Sequence, residues 1–280
     1  FGSRLWKSIE VESGATTVLR PAVLEIRNPR CCVYPVVHAE TGETLGELSN
    51  GVTSLALVPE TVAVEFQDAV WPDIVLEEGR TTVLEPAQLV IAAMPLGHYE
   101  LLDPTTGAVL GFVSEGEGGV SLPPMRLTLR LNGTLWPGIE LTAGATTEVD
   151  PAVVDAVNLD VGGLDIVDVE TGAKLTELSA GASQAALAPG RYGLSQNGVV
   201  GRTLDLLAGD RVTITLGTLI LVGGDPVQHV VRNARGEQVA ILWDAQPRVS
   251  LLAGTYTVGE GDNASVVTVR EGKTSEVTLK

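Results

Sequence analysis

The sequence predicts an all-β protein: four tandem seven-stranded antiparallel β-sandwich modules of about 65 residues each, arranged as a rod. Three observations carry this. First, a Gly-x-Thr-Thr anchor stands at Gly14 to Thr17, Gly79 to Thr82 and Gly144 to Thr147; it weakens to Gly209-Asp210-Arg211-Val212 and returns as Gly272-Lys273-Thr274-Ser275. The steps between its glycines are 65, 65, 65 and 63 residues. Trp6, Trp71 and Trp136 keep the same step, and Gly201 takes the tryptophan's place in the next copy. Self-similarity at a fixed period means one structural unit copied in tandem. Second, aromatics make up 4 % of the chain while it holds 32 Gly and 15 Pro, a balance of short strands joined by tight turns. Third, apolar residues alternate at period two within short runs, as half-buried strands require.

Cut at the x-Pro joints, residues 1–20 are a hairpin from a partial upstream repeat. The four repeats follow at 21–85, 86–150, 151–215 and 216–280. The Gly-x-Thr-Thr hairpin occurs five times and the intervening segments four times, so one hairpin is surplus. Counted instead from each tryptophan, residues 266–280 are the spare pair.

The second copy shows the order of elements. Leu89 and Ile91 alternate in the first run, and Tyr99 and Leu101 in the next, which ends at Asp103-Pro104-Thr105-Thr106-Gly107. A strand over 109–113 follows, then a Gly-rich turn, then Val120 and Leu122 leading into Pro123-Pro124. Leu127, Leu129 and Leu131 alternate before Asn132-Gly133, a pair that tolerates the positive φ of a hairpin turn. Thr128 lies between those leucines and is expected on the solvent face. Ile139 and Leu141 come next, then the Gly144 turn and a closing strand.

Apolar columns recur through the copies. One reads Ile9, Ile74, Ile139 and Leu204; another Leu57, Leu122, Leu187 and Leu252; a third Val62, Leu127, Tyr192 and Tyr256; a fourth Leu24, Leu89, Val154 and Leu219. Apolar type held while identity drifts is what a core demands. The joints Pro21, Pro86 and Pro151 resist bending because proline fixes φ. At the fourth joint Gly217 is read in the proline's place, which would bend more easily.

Seven short strands with turn signals every 8 to 12 residues read as a two-sheet sandwich of immunoglobulin or transthyretin type. The half-module Leu187-Ala188-Pro189-Gly190-Arg191-Tyr192, echoed by Leu252-Ala253-Gly254-Thr255-Tyr256, resembles the end of transthyretin-like or carboxypeptidase-regulatory-like modules. It also resembles the small sandwich repeats found beside von Willebrand A domains in bacterial surface proteins. The resemblance implies non-catalytic accessory or adhesive units and an extracellular, cell-surface or periplasmic location. It assigns no site residue.

The net charge of −17 excludes a nucleic-acid partner, since phosphate binding needs clustered Lys and Arg. Nine carboxylates and no Lys or Arg lie between Arg30 and Arg80. The longest apolar run, near Leu216 to Gly224, is far short of a membrane span, so no membrane insertion is expected. Cys31 and Cys32 are neighbours whose side chains would point to opposite faces of a strand, which favours two thiols over a strained ring.

No phosphate loop, zinc signature or dinucleotide fingerprint is present, and the three histidines fall at unrelated places in the repeat. The expectation is a protein that is not an enzyme. Two features stand out. Asp155, Asp160, Asp165, Asp168 and Glu170 crowd the third copy near Gly162-Gly163, as an oxygen-rich Ca²⁺ site would. Their spacing fits no EF-hand loop, and a solvated strand face explains them equally, so no cofactor is expected beyond a possible role for Ca²⁺. Trp243 stands where earlier copies have Ser49, Ser114 and Ser179. An aromatic there packs on a neighbouring module, or stacks on a sugar or a protein partner. The chain therefore reads as a structural stalk or adhesion segment joined to an upstream domain of a larger bacterial surface or secreted protein. The alternative is a carbohydrate- or protein-binding module set.

Overall fold

A computed structural model describes residues 6, 9–30, 32–92, 98–114, 119–223, 227–243 and 245–279. The alternating runs form strands, and the Gly and Asn positions between them form the turns. The first module comprises β1 (Ala22–Ile26), β2 (Val33–His38), β3 (Thr44–Ser49), β4 (Ser54–Leu57), β5 (Thr61–Phe66), β6 (Ala69–Val75) and β7 (Thr81–Leu84). The second comprises β8 (Ala87–Ile91), β9 (His98–Leu102), β10 (Val109–Ser114), β11 (Val120–Leu122), β12 (Arg126–Leu131), β13 (Thr134–Glu140) and β14 (Thr146–Val149). The third holds β15 (Ala152–Val157), β16 (Leu164–Asp168), β17 (Lys174–Leu178), β18 (Gln184–Leu187), β19 (Gly190–Gln196), β20 (Val199–Leu206) and β21 (Arg211–Thr215). The fourth holds β22 (Gly217–Leu221), β23 (His229–Asn233), β24 (Gln238–Leu242), β25 (Arg248–Leu251), β26 (Gly254–Val258), β27 (Ser265–Val269) and β28 (Thr274–Val277). Among the described residues the one helical element is a 3₁₀ turn, Gly261–Asn263.

Each module is a β-sandwich of a three-stranded and a four-stranded sheet. In the first module the orders are β4-β1-β7 and β3-β2-β5-β6, and the other three repeat them. The immunoglobulin constant domain divides its seven strands differently, ABED against CFG. One pairing per module also departs from the all-antiparallel expectation: β1 with β7, β8 with β14, β15 with β21 and β22 with β28 run parallel. Parallel neighbours need a long crossover, and here the five intervening strands supply it. Because first and last strands point the same way, the chain arrives at one end of each module and leaves at the other.

The anchor explains itself in this geometry. Its glycine takes a left-handed φ of 82°, 69°, 67°, 80° and 66° in the five copies, a conformation side chains resist. From the second copy on, its N–H donates to the joint that opens the same module: Gly79 to Arg20, Gly144 to Glu85, Gly209 to Asp150 and Gly272 to Leu216. The final hydroxyl of the anchor donates to the carbonyl seven residues back, Thr82 to Val75 at 3.4 Å, Thr147 to Glu140 at 3.1 Å and Ser275 to Thr268 at 2.9 Å. Val212, in the weakened copy, has no hydroxyl to do this.

The cores follow the columns with four corrections. In the third module Val154, Ile166, Leu187, Leu194 and Leu204 pack together from both sheets; in the fourth, Leu219, Val231, Leu251, Tyr256 and Val258 do so. Pairing puts Leu57 opposite Ala22, Leu122 opposite Ala87, Leu187 opposite Ala152 and Leu251 opposite Gly217. So Leu251, not Leu252, completes that column, and Leu216, not Gly217, stands in the proline's place. A turn one residue shorter causes the Leu251 shift, for Asp168 to Gly172 spans five residues and its counterpart Asn233 to Gly236 four, whereas Leu216 simply lies one full period of 65 after Pro151. Ile9 is 43 % exposed although its column mates Ile74, Ile139 and Leu204 are buried. Residues 9–20, expected as part of a hairpin, form no strand; a turn in which the Ala15 N–H donates to the Glu12 carbonyl at 3.1 Å and the Thr17 hydroxyl to the Glu10 carbonyl at 3.2 Å is described there. Thr128, expected on the solvent face, is only 9 % exposed. It sits opposite Leu102 on an interior strand, where longer neighbours shade a short side chain.

The chain divides into two compact units, the first of Phe1–Ala92, His98–Arg130 and Leu135–Val149, the second chiefly of Asp150–Lys280 with Leu131–Thr134. No helix among the described residues is long and apolar enough to cross a membrane.

Candidate functional site

The candidate site grows out of the seams between consecutive modules, where polar side chains replace sheet hydrogen bonds. In the first unit, the Arg30 N–H donates to the hydroxyl of buried Ser121 at 2.8 Å, and that hydroxyl donates to Gln88 at 3.1 Å. Gln88 in turn donates to the Asn28 carbonyl at 3.1 Å. Gln67, at the turn between β5 and β6, donates to the Phe112 carbonyl at 3.1 Å and accepts the Phe112 N–H at 2.5 Å.

In the second unit the Arg30–Ser121 pairing recurs, while the Gln67 column meets a different partner. Ser250 matches Ser121: its hydroxyl accepts the N–H of Asp160 at 3.1 Å, and Asp160 lies two periods after Arg30. Asn197 lies two periods after Gln67 and donates to the Gln238 carbonyl at 3.1 Å. Buried Gln196 adds a rung of its own, donating to the Ser250 carbonyl at 2.8 Å and accepting the Leu252 N–H at 3.1 Å. Asn132 and Thr134, also of this unit, bond the Ala186 carbonyl at 3.0 Å and the Ala188 N–H at 2.9 Å. Gln67, Asn132 and Asn197 all have φ near 50°, which turns their amides outward from the hairpin. An unsatisfied buried polar group is costly, so these bonds specify how neighbours dock.

At the seam of the third and fourth modules lies a cleft of about 380 Å³. One wall is the third module's edge: Lys174 Nζ sits 2.7 Å from Asp165 and 2.6 Å from Glu177. Those two carboxylates push the Lys174 ammonium up to about 12. A Cβ on Gly163 would collide with the Glu177 carboxylate, so glycine there lets the wall close. The other wall is Trp243 and Gln246, whose backbones exchange two hydrogen bonds across a tight turn. Partners in such a bridge point their side chains the same way. Gln196, Asn197 and Ser250 also line the cleft.

The acidic residues singled out in the sequence are thereby dispersed. Asp165 reaches the cleft with Trp243, and Asp160 contributes its backbone to the seam. Asp155 lies on the three-stranded sheet, within 3.4 Å of the Ser183 hydroxyl. Asp168 caps a turn: its carboxylate accepts the N–H of Glu170 at 3.0 Å and the N–H and hydroxyl of Thr171 at 2.7 and 2.8 Å. The Thr171 N–H is the chief cause of its lowered pKa. Glu170 is a residue of that turn. Among the described residues no three His, Cys, Asp or Glu side chains converge as metal ligands would. Cys32 is exposed, and Cys31 lies outside the described residues.

The turn cap is a column that sequence reading missed. His38 accepts the N–H of Thr41 at 3.2 Å, Asp103 that of Thr106 at 2.7 Å, and Asn233 that of Arg235 at 2.9 Å, which with Asp168 between the last two makes a column stepping by 65. The signal is an acceptor side chain three or four residues before the turn glycine, hidden because its identity changes from His to Asp to Asn. Ser121 and Ser250 were missed as well, for in single sequence a serine between apolar residues looks like a solvent position.

No family model matches the chain, and no curated protein matches it. Among solved structures it is similar to the Bacillus anthracis TIE protein at 14 % identity and a TM-score of 0.20, over 92 % of this chain and 68 % of that one. It is also similar to GBS52, the minor pilin of the Gram-positive pathogen Streptococcus agalactiae, at 14 % identity and a TM-score of 0.23, over 46 % of this chain and 94 % of that one. Likenesses this weak carry no argument about function.

Proposed function

We propose that the chain is a non-catalytic stalk or adhesion segment of a larger bacterial surface or secreted protein, acting by reach and by the surfaces it displays. The observation that carries this is the parallel pairing of first and last strands in every module, which sets arrival and departure of the chain at opposite ends. The joint of two residues between strands within the first unit, Glu85-Pro86, then leaves little slack for the second module to fold back on the first. Polar seams within each unit add stiffness, since each fixes a docking angle through buried hydrogen bonds. The surface or secreted setting rests on the sequence resemblance of the half-module ending at Tyr192.

Small-angle scattering tests the reading. A single globule of this length would have a radius of gyration of about 19 Å. The proposal requires a value well above that and a distance distribution with a long tail. A value at the globular figure would overturn it.

A further inference from the structure

We propose that the cleft between the third and fourth modules binds a neutral oligosaccharide, with Trp243 as the stacking platform. The argument starts from what is particular to this seam. Seven-stranded modules with near-identical columns should give near-identical seams, yet the residues lining this one depart from the repeat. Where the third module has Asp165 and Lys174, the first has Pro35 and Thr44, while Glu177 keeps the type of its counterpart Glu47. Where the fourth has Trp243, the second has Ser114. The turn itself is common property, for Ser179 and Ala182 exchange the same backbone bonds that Trp243 and Gln246 do. The aromatic and the amide have been placed on an existing turn without altering it.

Charge decides among ligand classes. Asp165 and Glu177 against Lys174 leave the cleft one net negative charge, in a chain of net charge −17, which disfavours an anion. A cation would find both carboxylates already held by the Lys174 ammonium, at 2.7 and 2.6 Å, and would be repelled by it. A sugar hydroxyl both donates and accepts, which suits a wall of ammonium, carboxylates and the Gln246 amide. The indole offers an apolar face for the C–H side of a pyranose ring. A volume of about 380 Å³ lies within the range of small-ligand sites and admits a short stretch of sugar.

The test uses the full chain, labelled with nitrogen-15, with the Trp243 indole N–H assigned through Trp243→Phe. Maltotetraose, cellotetraose, tetragalacturonate and tetralysine are titrated to millimolar concentration. The expected result is a saturable shift of the Trp243 indole signal with at least one neutral tetrasaccharide. Trp243→Ala should abolish binding, and Gln246→Ala should weaken it at least fivefold while leaving the spectrum of the other modules unchanged. The Gln246 variant serves as the arbiter if Trp243→Ala fails to fold. A response confined to tetralysine would overturn the proposal in favour of a basic peptide, and one confined to tetragalacturonate would overturn the charge argument. No response to either neutral sugar would also overturn it. None of these outcomes bears on the stalk reading, which stands or falls by scattering.

Discussion

A Cβ placed on Gly201 would lie 2.8 Å from Cδ1 of Leu252. Gly201 stands in the column of Trp6, Trp71 and Trp136, so the indole lost from the third module is replaced by a leucine reaching in from the fourth. Leu252 packs with the third module's core, beside Tyr192 and Leu204, rather than with its own. Loss of the large side chain and insertion of the leucine are therefore two halves of one exchange.

Leu252→Ala should cost about 2 to 5 kcal/mol, as a buried leucine truncation does, and the loss should appear in the third module as well as the fourth. Gly201→Trp should destabilise the wild type and do so less in the Leu252→Ala background. Chemical unfolding of the four proteins checks this; additive losses would show that the two positions do not share the space.

Leu122→Ala should cost roughly 2 to 4 kcal/mol, because Leu122 is fully buried. Arg126→Ala, on the outer face of β12, should cost under about 1 kcal/mol: its pairing with Glu140 is between exposed groups. Unfolding midpoints compare the two, and equal losses would place the faces of the second module the wrong way round.

Two buried serines should respond in opposite ways. Ser250→Ala strips the acceptor from the Asp160 and Val161 N–H groups and should cost about 1 to 3 kcal/mol. The Ser195 hydroxyl is buried with no hydrogen-bond partner among the described residues, so Ser195→Ala should leave stability unchanged or raise it. Thermal melts of both variants separate the cases.

Stability should fall at both extremes of pH. Burial pushes the Tyr256 phenol from 10.0 up to about 12. The phenol ionises first in the unfolded chain, so its contribution is complete below 10.0 and is lost as pH rises toward 12. Tyr256→Phe should flatten that alkaline decline while costing about 1 kcal/mol at neutral pH through loss of the bond to the Leu252 carbonyl. On the acid side, backbone N–H groups, those of Thr106 and Thr171 foremost, hold Asp103 and Asp168 below 3.8. Their contribution is present above 3.8 and lost as pH falls through the lowered values. Asp168→Asn should keep the cap, as Asn233 does in the fourth module, and remove the acid dependence of that turn in an NMR titration.

The modules were legible in the sequence because core columns and turn glycines are local demands repeated four times. Leu89, Leu127 and Ile139 show their inward face by period alone. The parallel pairing of β1 with β7 was not legible, since alternation marks faces but not the direction of a neighbour. The shortened turn after Asn233 misplaced Leu252 by one residue, and that residue turned out to matter at the seam. Seam residues such as Gln196 and Ser250 were invisible for a related reason: what buries them is the next module, and a repeat period carries no sign of how copies dock. Trp243 did stand out, because it breaks its column, and Asp165 joined it only once two modules were brought together.

The central claim is that the two modules within each compact unit are welded by seams of polar bonds and, between the third and fourth, by the apolar insertion of Leu252, instead of being strung as independent beads. Hydrogen exchange in Leu219→Ala tests it most directly, because Leu219 is buried in the fourth module's own core, against which Val199 of the third module packs. The account predicts faster exchange of amides in β19, Gln196 above all, together with those of β22 and β25. Exchange in β19 unchanged from wild type, while β22 and β25 open, would contradict it.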